Sequence, residues 1–199
     1  MMTLNLRAKL VVSAGLVGLI SVAGTGAAFA DQSVRGEGIA TAKLAPITES
    51  VIVEIRSEGD GPVKVKPVLR GGGKTFAWVN SVGPWAGTVF QEQESKPVIA
   101  ARVTAPGPWS IVVKPLARAP KVTRGINSQV IQLKKRASGT LIKKFTFQGQ
   151  GLFKVFPISA KGMSGFSLID QAGPFTGKAY LPPGTKYVSV VATGPWQMN

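Results

Sequence analysis

The sequence contains no cysteine and no histidine, and sets only 9 acidic residues against 24 basic ones in a chain of 199. The missing cysteine excludes a disulfide scaffold, thiol chemistry, cysteine-based zinc sites and the acylated cysteine of a lipoprotein. The missing histidine excludes serine–histidine and cysteine–histidine nucleophile systems and removes the commonest metal ligand. Carboxylates for acid–base work are scarce as well. Glu54, Glu58 and Asp60 lie close in sequence, yet the residues ninety positions further on are Lys144, Gln148 and Gln150. Glu92 and Glu94 sit in the polar stretch Gln91–Lys96, which reads as a solvated loop. These absences point to a non-enzymatic protein without a cofactor or bound metal. Disorder is excluded too, because 44% of residues are hydrophobic and only 17% are charged.

Residues 1–30 read as a secretory signal peptide. Arg7 and Lys9 form a basic start, Leu10 to Ala23 is apolar, and Ala28-Phe29-Ala30 presents small residues for cleavage before Asp31. The competing reading is an uncleaved anchor, since about 20 apolar residues suffice to cross a bilayer. The glycines, the serines and the small-residue end all favour processing. The mature chain is therefore expected to be secreted, extracellular or associated with the cell envelope, with no integral membrane span.

The remainder repeats itself. Gly59-Asp60-Gly61-Pro62-Val63-Lys64-Val65-Lys66-Pro67-Val68 aligns, ninety residues later, with Gly149-Gln150-Gly151-Leu152-Phe153-Lys154-Val155-Phe156-Pro157-Ile158. At the same spacing Phe76 meets Phe166, and Gly83-Pro84-Trp85 meets Gly173-Pro174-Phe175. After a small deletion Gly107-Pro108-Trp109 meets Gly194-Pro195-Trp196. The repeat is longer than a solenoid unit, so each copy is expected to have its own core. Within each copy the apolar period is two, as in Val63, Val65 and Pro67 alternating with Lys64 and Lys66. The fold predicted is all-β: two tandem small antiparallel β-sandwich domains, residues 31–116 and 128–199, joined by a basic linker over 117–127. The last strand of the second copy should be short, because the chain ends three residues after Trp196.

Gly-Pro-aromatic occurs four times. Proline fixes φ and offers no donor, so it belongs at a turn or at a strand's first residue. The aromatic that follows can bury about 150–250 Å². Two roles compete for Trp85, Trp109, Phe175 and Trp196: an exposed platform on which sugar rings stack, or a core anchor. Their recurrence at equivalent places favours the anchor. The later pair reads as the start of the far strand of a hairpin.

Charge is divided unequally. Residues 31–116 hold 10 basic and 8 acidic residues, whereas residues 117–199 hold 12 basic residues and one acid, Asp170. Lys134, Lys135, Arg136, Lys143 and Lys144 form the densest group and flank Ser138-Gly139, which reads as a turn between two strands. Such a group serves either as a solvated face or as an electrostatic patch for a polyanion. The patch reading implies an anionic envelope polymer or membrane surface as partner. Nucleic acid is disfavoured, because no aromatic-rich RNA-binding motif or helix-turn-helix pattern is present.

The run Gly165-Phe166-Ser167-Leu168-Ile169-Asp170, followed by Leu181-Pro182-Pro183-Gly184-Thr185-Lys186-Tyr187-Val188, resembles the β-sandwich modules attached to secreted bacterial proteins, such as the bacterial pre-peptidase C-terminal domain. The resemblance implies a non-catalytic accessory module and carries over no site residue. The function expected is an exported binding protein whose basic second domain associates with an anionic cell-envelope or extracellular polymer. The alternatives are a carbohydrate-binding module using exposed tryptophans and a cationic secreted effector or inhibitor.

Overall fold

Short runs of alternating apolar and polar residues, bounded by glycine and proline, can bury one face only as strands. The computed structural model describes residues 31–199. The signal peptide read for residues 1–30 lies outside the described residues. The strands are β1 (Gln32–Glu37), β2 (Ala40–Ile47), β3 (Val51–Ser57), β4 (Pro62–Leu69), β5 (Val79–Val82), β6 (Trp85–Gln91), β7 (Val98–Thr104) and β8 (Pro108–Pro115) in the first half. A 3-10 turn at Leu116–Arg118 follows. The second half holds β9 (Arg124–Gln132), β10 (Leu141–Phe147), β11 (Leu152–Ser159), β12 (Ile169–Ala172), β13 (Phe175–Leu181) and β14 (Thr185–Met198). The strand pairings are antiparallel, and no α-helix occurs among the described residues.

The first half has two four-stranded sheets, ordered β1-β8-β3-β6 and β2-β7-β4-β5. Val53, Ile55, Ile111 and Trp109 of one meet Val63, Val65, Val103 and Ala101 of the other in a single core. The second half is one six-stranded sheet, ordered β12-β11-β14-β10-β13, with β9 also paired to β14. Its two ends face each other: the rings of Phe147 on β10 and Phe153 on β11 stack with centroids 4.8 Å apart.

The registers repeat as well as the sequence. Val51 pairs with Gln91 and, ninety residues on, Leu141 pairs with Leu181. Ser57 pairs with Trp109, and Phe147 with Trp196. The three-residue deletion falls in a loop, where Gln91 and Val98 are separated by six residues but Leu181 and Thr185 by only three. The expected short final strand is instead the longest, because β14 corresponds to β7 and β8 joined end to end. One residue explains the difference. Pro106 interrupts the first half and has no N–H for a ladder. Its counterpart Thr193 keeps one and pairs with Asn127. Opposite Pro106 the chain turns at Gly38 with φ +66°, whereas β9 runs through the equivalent Asn127 unbroken.

The halves share a third apolar cluster. Ile52 and Phe90 on the outward face of the β1-β8-β3-β6 sheet pack against Val130, Ile158 and Tyr187 of the second half, with Leu116 and Ala119 beside them. Polar groups lock the same contact. The Val130 N–H donates to Thr88 Oγ1 at 2.8 Å, the Ser50 hydroxyl to the Gly162 carbonyl at 2.7 Å, and the Ser164 N–H to Glu92 Oε1 at 3.1 Å. The stretch 117–127 holds the end of the 3-10 turn, the buried Ala119 and the first residues of β9.

Candidate functional site

Two of the four Gly-Pro-aromatic motifs are corners between sheets. At Gly83-Pro84-Trp85 and Gly107-Pro108-Trp109 the chain leaves one sheet of the first half and enters the other. Gly83 and its counterpart Gly173 have φ of +84° and +81°, a region costly for any side chain. The expected hairpin is therefore corrected in both copies: β7 and β8 lie in different sheets, with Pro106 interrupting the chain between them, and Gly194-Pro195-Trp196 lies inside the unbroken β14. The aromatic is the first residue to point inward after each corner. Trp85, Trp109 and Trp196 are accordingly 6%, 4% and 3% exposed, and Phe175 is half-buried against the second core. The platform reading is overturned for the three tryptophans, since a ring enclosed in a core has no face left for a sugar.

The five basic residues read from the sequence as one group separate into three places. Lys134, Lys135 and Arg136 are exposed on the connection after β9. This connection runs beside the start of β14, with the Leu133 N–H donating to the Lys186 carbonyl and the Ala137 N–H to the Thr185 carbonyl, both at 2.9 Å. β9 and β10 do not pair with each other, so the turn read at Ser138-Gly139 is a passage between strands that are not neighbours. Strand alternation then divides Lys143 from Lys144. Lys143 is half-buried opposite the buried Ala179 on the core side, and Lys144 is exposed on the outward side.

Around Lys144 the sheet builds a patterned outward face. Lys144 stands directly opposite Lys178 across β10 and β13. One pleat away Arg124, Gln197, Thr146 and Thr176 lie side by side on β9, β14, β10 and β13. One pleat in the other direction Ile142 faces Tyr180, and these are 51% and 59% exposed. Directly opposed residues have Cβ atoms about 4.5–5.5 Å apart, and like charges so placed repel. The strands β9, β10, β13 and β14 contain no carboxylate. Arg124, Lys178 and Tyr180 were invisible as members of this group because they lie up to 56 residues apart in sequence. The signal that finds them is the repeat itself, which carries the strand order of one half over to the other.

Three ion pairs form elsewhere among the described residues. Lys114 Nζ lies 2.6 Å from Glu54 Oε2, Arg56 Nη2 3.2 Å from Glu54 Oε1, and Lys154 Nζ 2.9 Å from Asp170 Oδ2. The hydrogen bond from Lys114 holds the Glu54 carboxyl below its ordinary range; partial burial opposes this, and Arg56 adds to it. In the repeat Glu54 becomes Lys144 and Thr88 becomes Lys178. A paired charge has thus been replaced by a cationic couple that makes no salt bridge among the described residues.

A separate cleft of about 340 Å³ lies where the halves meet, lined by Phe76, Trp78, Phe90, Gln91 and Phe156 among others. Trp78 donates its indole N–H to Gln91 Oε1 at 2.7 Å. Phe76 and its counterpart Phe166 are each 95% exposed. Among known proteins the chain matches no family model and no curated sequence.

Proposed function

We propose that this is an exported, non-catalytic binding protein whose second half associates with an anionic polymer of the cell envelope or extracellular space. The observation that supports this most is the Lys144–Lys178 couple, on a face whose strands carry no acidic side chain and which also holds Arg124 on β9. Opposed ammonium groups lower stability in isolation and gain most when a bridging phosphate or carboxylate lies between them. The exposed loop residues Lys134, Lys135 and Arg136 extend the attraction at longer range. Thr146, Thr176 and Gln197 add hydrogen-bonding groups to the same face, and Tyr180 adds a ring with a polar tip.

The test is retention on isolated cell envelopes as ionic strength rises. Contacts to phosphates release counterions, so affinity should fall steeply with salt, by a slope of about 0.7 per contact on a single-stranded chain. Replacing Lys144 and Lys178 with threonine should flatten that slope by about 1.4. Retention indifferent to salt, or unchanged in the double variant, would reject this reading.

A further inference from the structure

We infer that the open face of the β2-β7-β4-β5 sheet is a second polyanion-binding surface, and that one molecule thereby bridges two segments of a linear phosphate-bearing polymer. The inference takes its partner chemistry from the reading above, but it rests on a different set of residues. The contact between the halves uses the β3 and β6 side of the β1-β8-β3-β6 sheet's outward face and, in the second half, the equivalent of the β2-β7-β4-β5 face. Two outward faces take no part in this contact, and they lie on opposite sides of the stacked halves. One is the Lys144–Lys178 face. On the other, Arg102 stands directly between Thr41 and Lys66 on β2, β7 and β4. Lys43 lies one pleat to one side, and Lys64, opposite Asn80, one pleat to the other.

The near-neutral balance of residues 31–116 conceals this face. Asp31, Glu37, Glu49, Glu54, Glu58, Asp60, Glu92 and Glu94 all lie off β2, β4, β5 and β7. Lys43, Lys64 and Arg102 are exposed and Lys66 is half-buried, and none of the four makes a salt bridge among the described residues. Arg102 opposite Lys66 thus repeats, at the far side of the molecule, the like-charge opposition of Lys144 and Lys178. The faces that meet or flank the internal contact carry the paired charges instead.

Two occupants are disfavoured by the same geometry. Continuing the internal contact head to tail with a second copy would set Lys43, Lys66 and Arg102 against Lys144 and Lys178. A single planar bilayer cannot reach two faces turned away from each other. A flexible linear polyanion can engage both.

The experiment uses the purified protein with long-chain inorganic polyphosphate, and measures affinity against salt together with light scattering across the mixing ratio. The wild-type protein should scatter maximally at an intermediate ratio, where bridges are most numerous, and short tripolyphosphate should suppress the signal. The K43T/K66T/R102T variant keeps β-branched residues at exposed or half-buried positions; circular dichroism checks its fold. It should still bind, with its salt slope reduced by about 2, and should lose the scattering maximum. K144T/K178T should also bind without scattering. Unchanged slope and scattering in the triple variant would overturn the second surface alone. A loss in the triple variant with none in K144T/K178T would reject the proposed role of the second half and leave this face standing. Absence of polyphosphate binding by the wild-type protein would overturn both.

Discussion

Trp196 donates its indole N–H to the carbonyl of Asn127 at 2.8 Å, as Trp109 does to the carbonyl of Gly38 at 3.0 Å. Each tryptophan closes the end of its half by tying the last stretch of strand to the first. Replacing either with phenylalanine keeps most of the apolar body but strands a carbonyl, at a cost of about 1 kcal/mol. Replacing it with alanine should cost about 3–5 kcal/mol through the cavity left behind. Urea unfolding followed by circular dichroism distinguishes the two. Equal costs for both substitutions would mean that the ring is not packed as described.

Close backbone approach gives a second expectation. A Cβ on Gly59 would lie 2.7 Å from the Gly107 nitrogen, and one on Gly149 would overlap the Phe147 ring, whereas one on Gly139 meets nothing within 4 Å. Gly139 also lies outside the set of glycines with positive φ. Gly59→Ala and Gly149→Ala should therefore lower the urea midpoint. Gly139→Ala should raise it slightly, through a stability gain of about 0.4–1 kcal/mol, because it narrows only the unfolded ensemble. A neutral Gly59→Ala would contradict the close approach.

The repeat explains why so much of this was legible beforehand. Val63, Val65 and Pro67 alternate strictly with Lys64 and Lys66, and β4 forms where period two places it. The joining of the second half into one sheet, where the first half divides into two, was not legible, because a single difference, Pro106 in one half and Thr193 in the other, decides whether a ladder breaks or continues. The site was harder still. A count of charges along the chain joins Lys143 to Lys144, although a strand sends neighbours to opposite faces. The same count misses Arg102 and Lys66, which become neighbours only through pairing across β7 and β4.

Acid stability should report on Glu54. Its carboxyl is held below the ordinary range, chiefly by the hydrogen bond from Lys114, so the folded state binds its proton more weakly than the unfolded chain does. The resulting stabilisation is complete above the unfolded carboxylate pKa and is lost as pH falls through the lower folded value. Glu54→Gln should thus have a lower urea midpoint than the wild-type protein at neutral pH, and the two curves should converge in acid. Added salt should narrow the neutral gap. Parallel curves throughout the acid limb would show that the ion pair contributes nothing.

The most discriminating comparison uses one residue type at one position of the repeat. Ile52 and Ile142 occupy matching places on β3 and β10, yet Ile52 is 1% exposed beneath the second half and Ile142 is 51% exposed on the open cationic face. Threonine is β-branched, so it keeps the strand preference and isolates the effect of burial. Ile52→Thr should cost about 2–4 kcal/mol, through lost apolar contact and a hydroxyl enclosed without a partner. Ile142→Thr should change stability by no more than about 0.5 kcal/mol. Because Ile52 touches both halves, its loss should also loosen their contact, exposing amides of β6 and β9 to faster hydrogen exchange before those of the two separate cores. Equal effects of the two substitutions would mean that the halves do not rest on each other through this face. The second half's matching face would then have no special claim to be the open one.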